Sequence, residues 1–187
     1  MSNNDNSLFQ EDLVRVLYDQ ETIKQKVNEL ATIISRDLAG EQILVVCVLK
    51  GSYIFCADLV RSMNIPITID FMVCSSYGSG TTSSGEVRLN MDLSLDPEGK
   101  TILIVEDIVD SGRTLLSLKG LLTARKTKAI YTVALLDKPS RRQVDFRVDY
   151  AGFTIPDEFI VGYGLDYAEK YRQLPFIAVL KPEVYSK

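Results

Sequence analysis

Unbroken apolar runs constrain this chain more than any other feature. Ile43–Leu49, residues 101–105 and residues 129–136 are almost wholly apolar and rich in β-branched side chains. A half-exposed strand alternates apolar and polar residues; a run without alternation is buried on both faces, as in a parallel sheet covered by helices. The stretches between have helical spacing. Ile23, Val27, Leu30, Ile34 and Leu38 fall on one face of a helix predicted from about 21 to 38, with Asp19 placed to cap it and Gly40 to end it. Ser52 is placed to cap a second helix running to about Arg61, and Leu115, Leu118 and Leu122 mark a third over 114–124. Shorter strands are expected at 13–17, 67–74, 159–161 and 176–180. Strand and helix alternate, so the fold class is α/β with a central, mainly parallel sheet flanked by helices. The 187 residues suit a single domain, with residues 1–12 expected to form a flexible N-terminus. Ligands of such folds bind beyond the C-terminal ends of the strands.

Composition narrows the chemistry. The chain has no histidine, which removes Ser-His-Asp and Cys-His catalysis and every His-ligated metal site. Catalysis must rest on carboxylates, lysines, arginines, backbone amides or a hard metal ion. Cys47, Cys56 and Cys74 sit in apolar stretches with no C-x-x-C pair, as expected of reduced, buried thiols. A net charge of −4 gives no basic surplus, so no nucleic-acid partner is expected. No apolar run approaches the ~20 residues needed to span a bilayer, and residues 1–10 carry no secretion-signal pattern, so a cytoplasmic location without membrane attachment is expected.

The segment from Ile102 to Thr114 (ILIVEDIVDSGRT) is the most informative. A buried strand ends in Glu106 and Asp107; Asp110 follows, then Ser111, Gly112, Arg113 and Thr114 lead into a helix. Backbone amides and the dipole at that helix start would cradle a phosphate, with the Ser111 and Thr114 hydroxyls adding donors. The acids suit hydroxyls of a ribose, which donate hydrogen bonds. Taken singly, each residue also fits an ordinary strand-loop-helix connection.

This segment resembles the phosphoribosyl-diphosphate signature of the type I phosphoribosyltransferases: four apolar residues, an acid pair, two apolar residues and a small polar turn. Leu49-Lys50-Gly51-Ser52, the Ser75–Gly78 loop, Asp137 to Arg142 and Ile155 to Tyr167 are similar to the hypoxanthine-guanine members of that family, and the Lys138 to Arg142 run to their bacterial branch. The resemblance covers roughly residues 13–182. It implies the family's fold, with a small base-binding hood and a mobile lid loop at 75–86, and transfer of the 5-phosphoribosyl group to hypoxanthine or guanine with Mg²⁺ as cofactor. It implies Asp110 as the base that takes the purine proton. Glu106, Asp107, Asp110 and Ser111 to Thr114 would bind the ribose phosphate; Lys50, Gly51, Ser76, Tyr77 and Arg172 the diphosphate. Lys138, Phe159 and Ile160 would bind the purine, and Glu106, Asp107 and Asp166 would serve the metal. In that family the Lys50–Gly51 bond is expected to be cis, and the molecule a homodimer or homotetramer.

Two other readings use the same residues. Residues 102–107 resemble the opening strand of a signalling receiver domain with Asp137 as phosphoacceptor, but the interval of 30 residues (137 − 107) is short and an α/β pattern precedes the strand. A nucleic-acid-binding regulator that senses ribose diphosphate would carry a basic face, against the charge of −4.

Overall fold

The apolar runs form the centre of a six-stranded sheet in a computed structural model that describes residues 9–76 and 87–186. The elements are β1 (Leu13–Tyr18), α1 (Gln20–Asp37), β2 (Ile43–Leu49), α2 (Tyr53–Ser62), β3 (Ile67–Ser76), β4 (Val87–Met91), β5 (Thr101–Val109), α3 (Arg113–Ala124), β6 (Ala129–Asp137), β7 (Tyr150–Thr154), β8 (Ile160–Val161), β9 (Ile177–Leu180) and α4 (Pro182–Tyr185). The large sheet has the order β4-β3-β2-β5-β6-β7, parallel except for β4, which runs against β3.

Each central strand supplies both faces of the core. Ile43, Val45 and Cys47 of β2, with Leu103 and Val105 of β5, pack against Ile23, Val27, Leu30 and Ile34 of α1 and Phe55 and Leu59 of α2. Leu44, Val46 and Val48, with Ile102 and Ile104, pack under Leu115, Leu118 and Leu122 of α3. Alternate residues therefore serve opposite helical layers, which is why the runs contain no polar gap.

Local chemistry sets the ends of the elements. Asp19 caps α1, its side chain accepting from the Thr22 amide at 2.8 Å. Ser52 precedes α2 but its side chain makes no cap; the hydroxyl donates to the Val48 carbonyl at 2.7 Å and lies 3.2 Å from Cys47 Sγ. β5 runs to Val109 rather than stopping at residue 105, because the neighbouring β6 continues to pair with it as far as Val109↔Asp137. The acid pair is thus inside the strand, not beyond it.

A second, three-stranded antiparallel sheet, β1-β9-β8, stands as the hood. Phe9–Asp12 is tied to it: Lys181 donates its amide to the Asp12 carbonyl at 2.9 Å, and Tyr171 its hydroxyl to the Asp12 carboxylate at 2.8 Å. Residues 1–8 of the expected flexible N-terminus and residues 77–86 of the expected lid lie outside the described residues; residues 75 and 76 end β3.

Candidate functional site

Three adjacent parallel strands, β2, β5 and β6, end at the same edge of the sheet, and each delivers one group of polar residues there. β2 delivers the Lys50-Gly51 turn. The cis peptide expected at Lys50–Gly51 is found one residue earlier, at Leu49–Lys50, where the strand gives way to the turn. Gly51 is required by close approach: a Cβ there would lie 1.6 Å from Asp107 Oδ2, while a Cβ on Gly164 would lie 2.1 Å from the Gly51 carbonyl oxygen. The strand turn, the acid on β5 and the hood loop therefore meet with no room for a methyl group.

One cation comes from the hood loop, Arg172, and one from the β2 turn, Lys50. Arg172 Nη1 donates to the Gly164 carbonyl at 2.8 Å, and Nη2 lies 2.8 Å from Asp166 Oδ1 and 3.3 Å from Glu169 Oε2. Arg172 Nε is buried with no hydrogen-bond partner among the described residues. Lys50 Nζ lies 3.2 Å from Glu169 Oε1. One carboxylate, Glu169, thus contacts both cations, a role invisible in the sequence because it depends on chain segments far apart.

On β5 the acids alternate. Glu106 is buried and lines a cavity of about 100 Å³ with Asp110, Ser111, Gly112 and Thr114; Asp107 points the other way, against Gly51. Burial, then the neighbouring Asp107 charge, pushes the Glu106 carboxyl well above the usual carboxylate range. Burial also pushes Asp107 up to about 6, against the pull of the Ile108 amide and the Arg172 charge. The turn after β5 has Gly112 at φ +80°, a left-handed conformation at the N-cap of α3 that favours glycine. The Arg113 amide donates to Ser111 Oγ at 3.3 Å. Arg113 is not among the residues lining the cavity, and its Nε is buried without a partner among the described residues.

β6 delivers Lys138, whose side chain is only 8% exposed. Its ammonium donates to the Glu158 carbonyl at 2.7 Å and lies 3.8 Å from Asp110 Oδ1. Lys138 and Asp110 share a pocket of about 350 Å³ with Ile108, Phe159, Ile160 and Tyr185. Asp110 and Ile108 also line the smaller cavity, so the two spaces adjoin across β5. A larger cleft among the described residues, about 590 Å³ between α1 and α2 beside Tyr163, contains none of these groups.

A brace joins the last two regions. Arg142 forms an ion pair with Asp137, both side chains about 15% exposed, and donates to the carbonyls of Val109 at 3.2 Å and Asp110 at 2.5 Å. The Gln143 amide donates to the Ser111 carbonyl at 3.0 Å. The sequence presented Arg142 as one of two adjacent arginines, with no sign of which would turn inward.

The acids anticipated for a metal do not converge. Among the described residues no three metal-ligating side chains form one cluster, and Glu106 and Asp107 face opposite ways. The oxygen donors suit a hard ion such as Mg²⁺, provided that ligand oxygens complete its shell. Of the remaining anticipated residues, Ser76 is the last of β3 and Tyr77 lies outside the described residues.

Residues 14–168 match the model of the phosphoribosyl transferase domain family. The chain is 49% identical over 178 residues to the hypoxanthine-guanine phosphoribosyltransferase of Bacillus subtilis (strain 168), covering 95% of this chain and 99% of that protein. It is 47% identical over 182 residues to the bifunctional protein TilS/HprT of Listeria monocytogenes serotype 4b (strain F2365), covering 97% of this chain but only 28% of that longer protein. The crystal structure of a hypoxanthine phosphoribosyltransferase from Staphylococcus aureus superposes with a TM-score of 0.94 at 47% identity, covering 97% of this chain and 99% of that one.

Proposed function

The chain belongs to the phosphoribosyltransferase family, and on that premise we propose that it salvages purines, transferring a 5-phosphoribosyl group from phosphoribosyl diphosphate to hypoxanthine or guanine to give IMP or GMP and diphosphate. The observation that carries this reading is the adjoining pair of cavities at the ends of β5 and β6, one lined by Ser111, Gly112 and Thr114 and the other by Lys138, with Asp110 common to both.

In this reading the 5′-phosphate sits on the amides and hydroxyls of Ser111, Gly112, Arg113 and Thr114 at the start of α3. The ribose hydroxyls donate to the carboxylates of β5. The purine occupies the larger pocket, against Phe159, with the Ile160 carbonyl accepting from a guanine amino group. Lys138 donates to the exocyclic oxygen; adenine presents an amino donor there, and two donors facing each other are rejected. The Lys50-Gly51 turn and Arg172 meet the diphosphate, the orphaned Arg172 Nε supplying a donor that lacks a partner within the protein. Ser76 and Tyr77 would close over it, excluding water from a cationic sugar centre. Mg²⁺ would be held mainly by substrate oxygens, one ion at the ribose and diphosphate with Glu106 and Asp107 ordering its surroundings and a second on the diphosphate near Asp166, supplying charge neutralisation for the departing diphosphate. The bond from the ribose C1 to the diphosphate oxygen breaks as that from C1 to the purine nitrogen forms, and Asp110 takes the proton lost from the purine ring. We assign the protein to the cytoplasm; no described helix is long and apolar enough to cross a membrane. A homodimer or homotetramer is the assembly expected of it.

The test is product formation from phosphoribosyl diphosphate with hypoxanthine, guanine, xanthine or adenine, with and without Mg²⁺. Metal-dependent nucleotide from hypoxanthine or guanine and little from adenine is the expected result. A folded protein that binds the ribose diphosphate but forms no nucleotide from any base would overturn the reading.

A further inference from the structure

The base pocket has an aromatic wall of which the sequence revealed one member. Phe159 is 37% exposed, so its ring plane is not fixed by burial alone. Tyr185 of α4 fixes it. The two rings stack with centroids 4.6 Å apart and planes 20° apart. Tyr167 meets Phe159 edge-on, at 5.6 Å and 88°, and lies 6.5 Å from Tyr185. Phe159 and Tyr185 both line the pocket that holds Lys138 and Asp110.

The backbone couples the two stacked residues. The Leu180 amide donates to the Phe159 carbonyl at 2.8 Å, at the point where β9 pairs with β8. Two residues later Pro182 starts α4, whose Val184 and Tyr185 pack on the small core formed by Val161, Tyr171, Leu174 and Leu180. Tyr185 is therefore anchored from below by apolar contacts and presents its ring to Phe159 from a fixed base.

We infer that Tyr185 is a positioning residue for the purine: its ring holds Phe159 in the plane on which the base stacks. The inference rests on the salvage reading above and deepens it, because it places part of the affinity for a planar bicyclic base on a residue of the C-terminal turn. Aromatic pairs contribute about 0.5–1.5 kcal/mol beyond their buried area, which is a roughly 2- to 10-fold change in affinity.

The variants Tyr185→Phe, Tyr185→Leu and Tyr185→Ala are compared with the wild type in initial rates against hypoxanthine and, separately, against phosphoribosyl diphosphate, with thermal unfolding measured on each. Leucine keeps the apolar anchor and removes the stack, so it remains informative should alanine unfold the hood. The expected result is an approximately 2- to 10-fold rise in KM for hypoxanthine in the leucine and alanine variants. KM for the ribose diphosphate stays at its wild-type value, and phenylalanine behaves as wild type. An unchanged base KM in a folded Tyr185→Leu protein overturns the inference. A lowered base KM overturns it too, since Tyr185 would then be an occupant that the base displaces. A wild type that makes no nucleotide overturns the salvage reading instead.

Discussion

A methyl group at position 51 would have to share space with the Asp107 carboxylate, 1.6 Å from Oδ2. Gly51→Ala is therefore expected to drive Asp107 out of its place, raising KM for phosphoribosyl diphosphate roughly 10-fold or more while leaving KM for the base near its wild-type value. Steady-state kinetics against each substrate in turn would detect the split. Asp110→Asn keeps the shape of its side chain but removes the proton acceptor, so kcat should fall by roughly 10²- to 10⁴-fold with little change in base affinity; equilibrium binding of the base alongside kcat checks this. Asp107 and Asp110 stand out in the sequence because they come at the end of a long apolar run, whereas Gly51 is singled out only by the family resemblance. Glu169 was not legible: its contacts with Lys50 and Arg172 join a β2 turn to a distant hood loop. Neutralising it (Glu169→Gln) removes an anion that competes for the proposed diphosphate site, so KM for phosphoribosyl diphosphate should fall a few-fold at low salt and less at high salt, as exposed ion pairs are weak and screened.

At the level of elements, long apolar runs and strong helical spacing were read correctly, whereas the two edge strands of the large sheet were not. β4 and β7 carry Arg88, Asn90 and Gly152, so neither has the apolar signature of the buried strands; their pairing with β3 and β6 comes from the sheet, not from local preference. The extension of β5 through Glu106 and Asp107 has the same origin, since its partner β6 keeps the ladder going. The connection after β6 then returns to support the turn after β5. Arg142 satisfies the Val109 and Asp110 carbonyls and the Asp137 carboxylate together. Arg142→Met leaves that carboxylate without its cation and should destabilise the fold by on the order of 3 kcal/mol. It should also lower kcat more than it raises either KM, because Asp110 loses its fixed backbone. Urea unfolding and kinetics on the same preparation separate the two effects, and Arg142→Lys should recover part of the stability.

For the molecule as a whole, the two acids in β5 make stability depend on pH in a direction opposite to that of a salt-bridged carboxylate. Asp107 is raised from 3.8 to about 6 in the folded chain, so between those values the native state holds a proton that the unfolded chain has released. Stability is therefore highest below about pH 4 with respect to this group and is lost as pH rises through about 6. Asp107→Asn should raise stability at pH 7 by on the order of 2 kcal/mol and flatten its pH dependence from pH 4 to 6, measured as Tm across that range without ligand. Buried like charges at a sheet edge are unfavourable to the fold by themselves, and become favourable only with a cation or donor beside them. The hood carries a different consequence. Its middle strand β9 pairs with β1 on one side and β8 on the other, so Ile160 of β8, which lines the proposed base pocket, is tied through β9 to β1. Loosening of β1 would therefore reach that pocket through the β9 ladder, although no residue of β1 lines it.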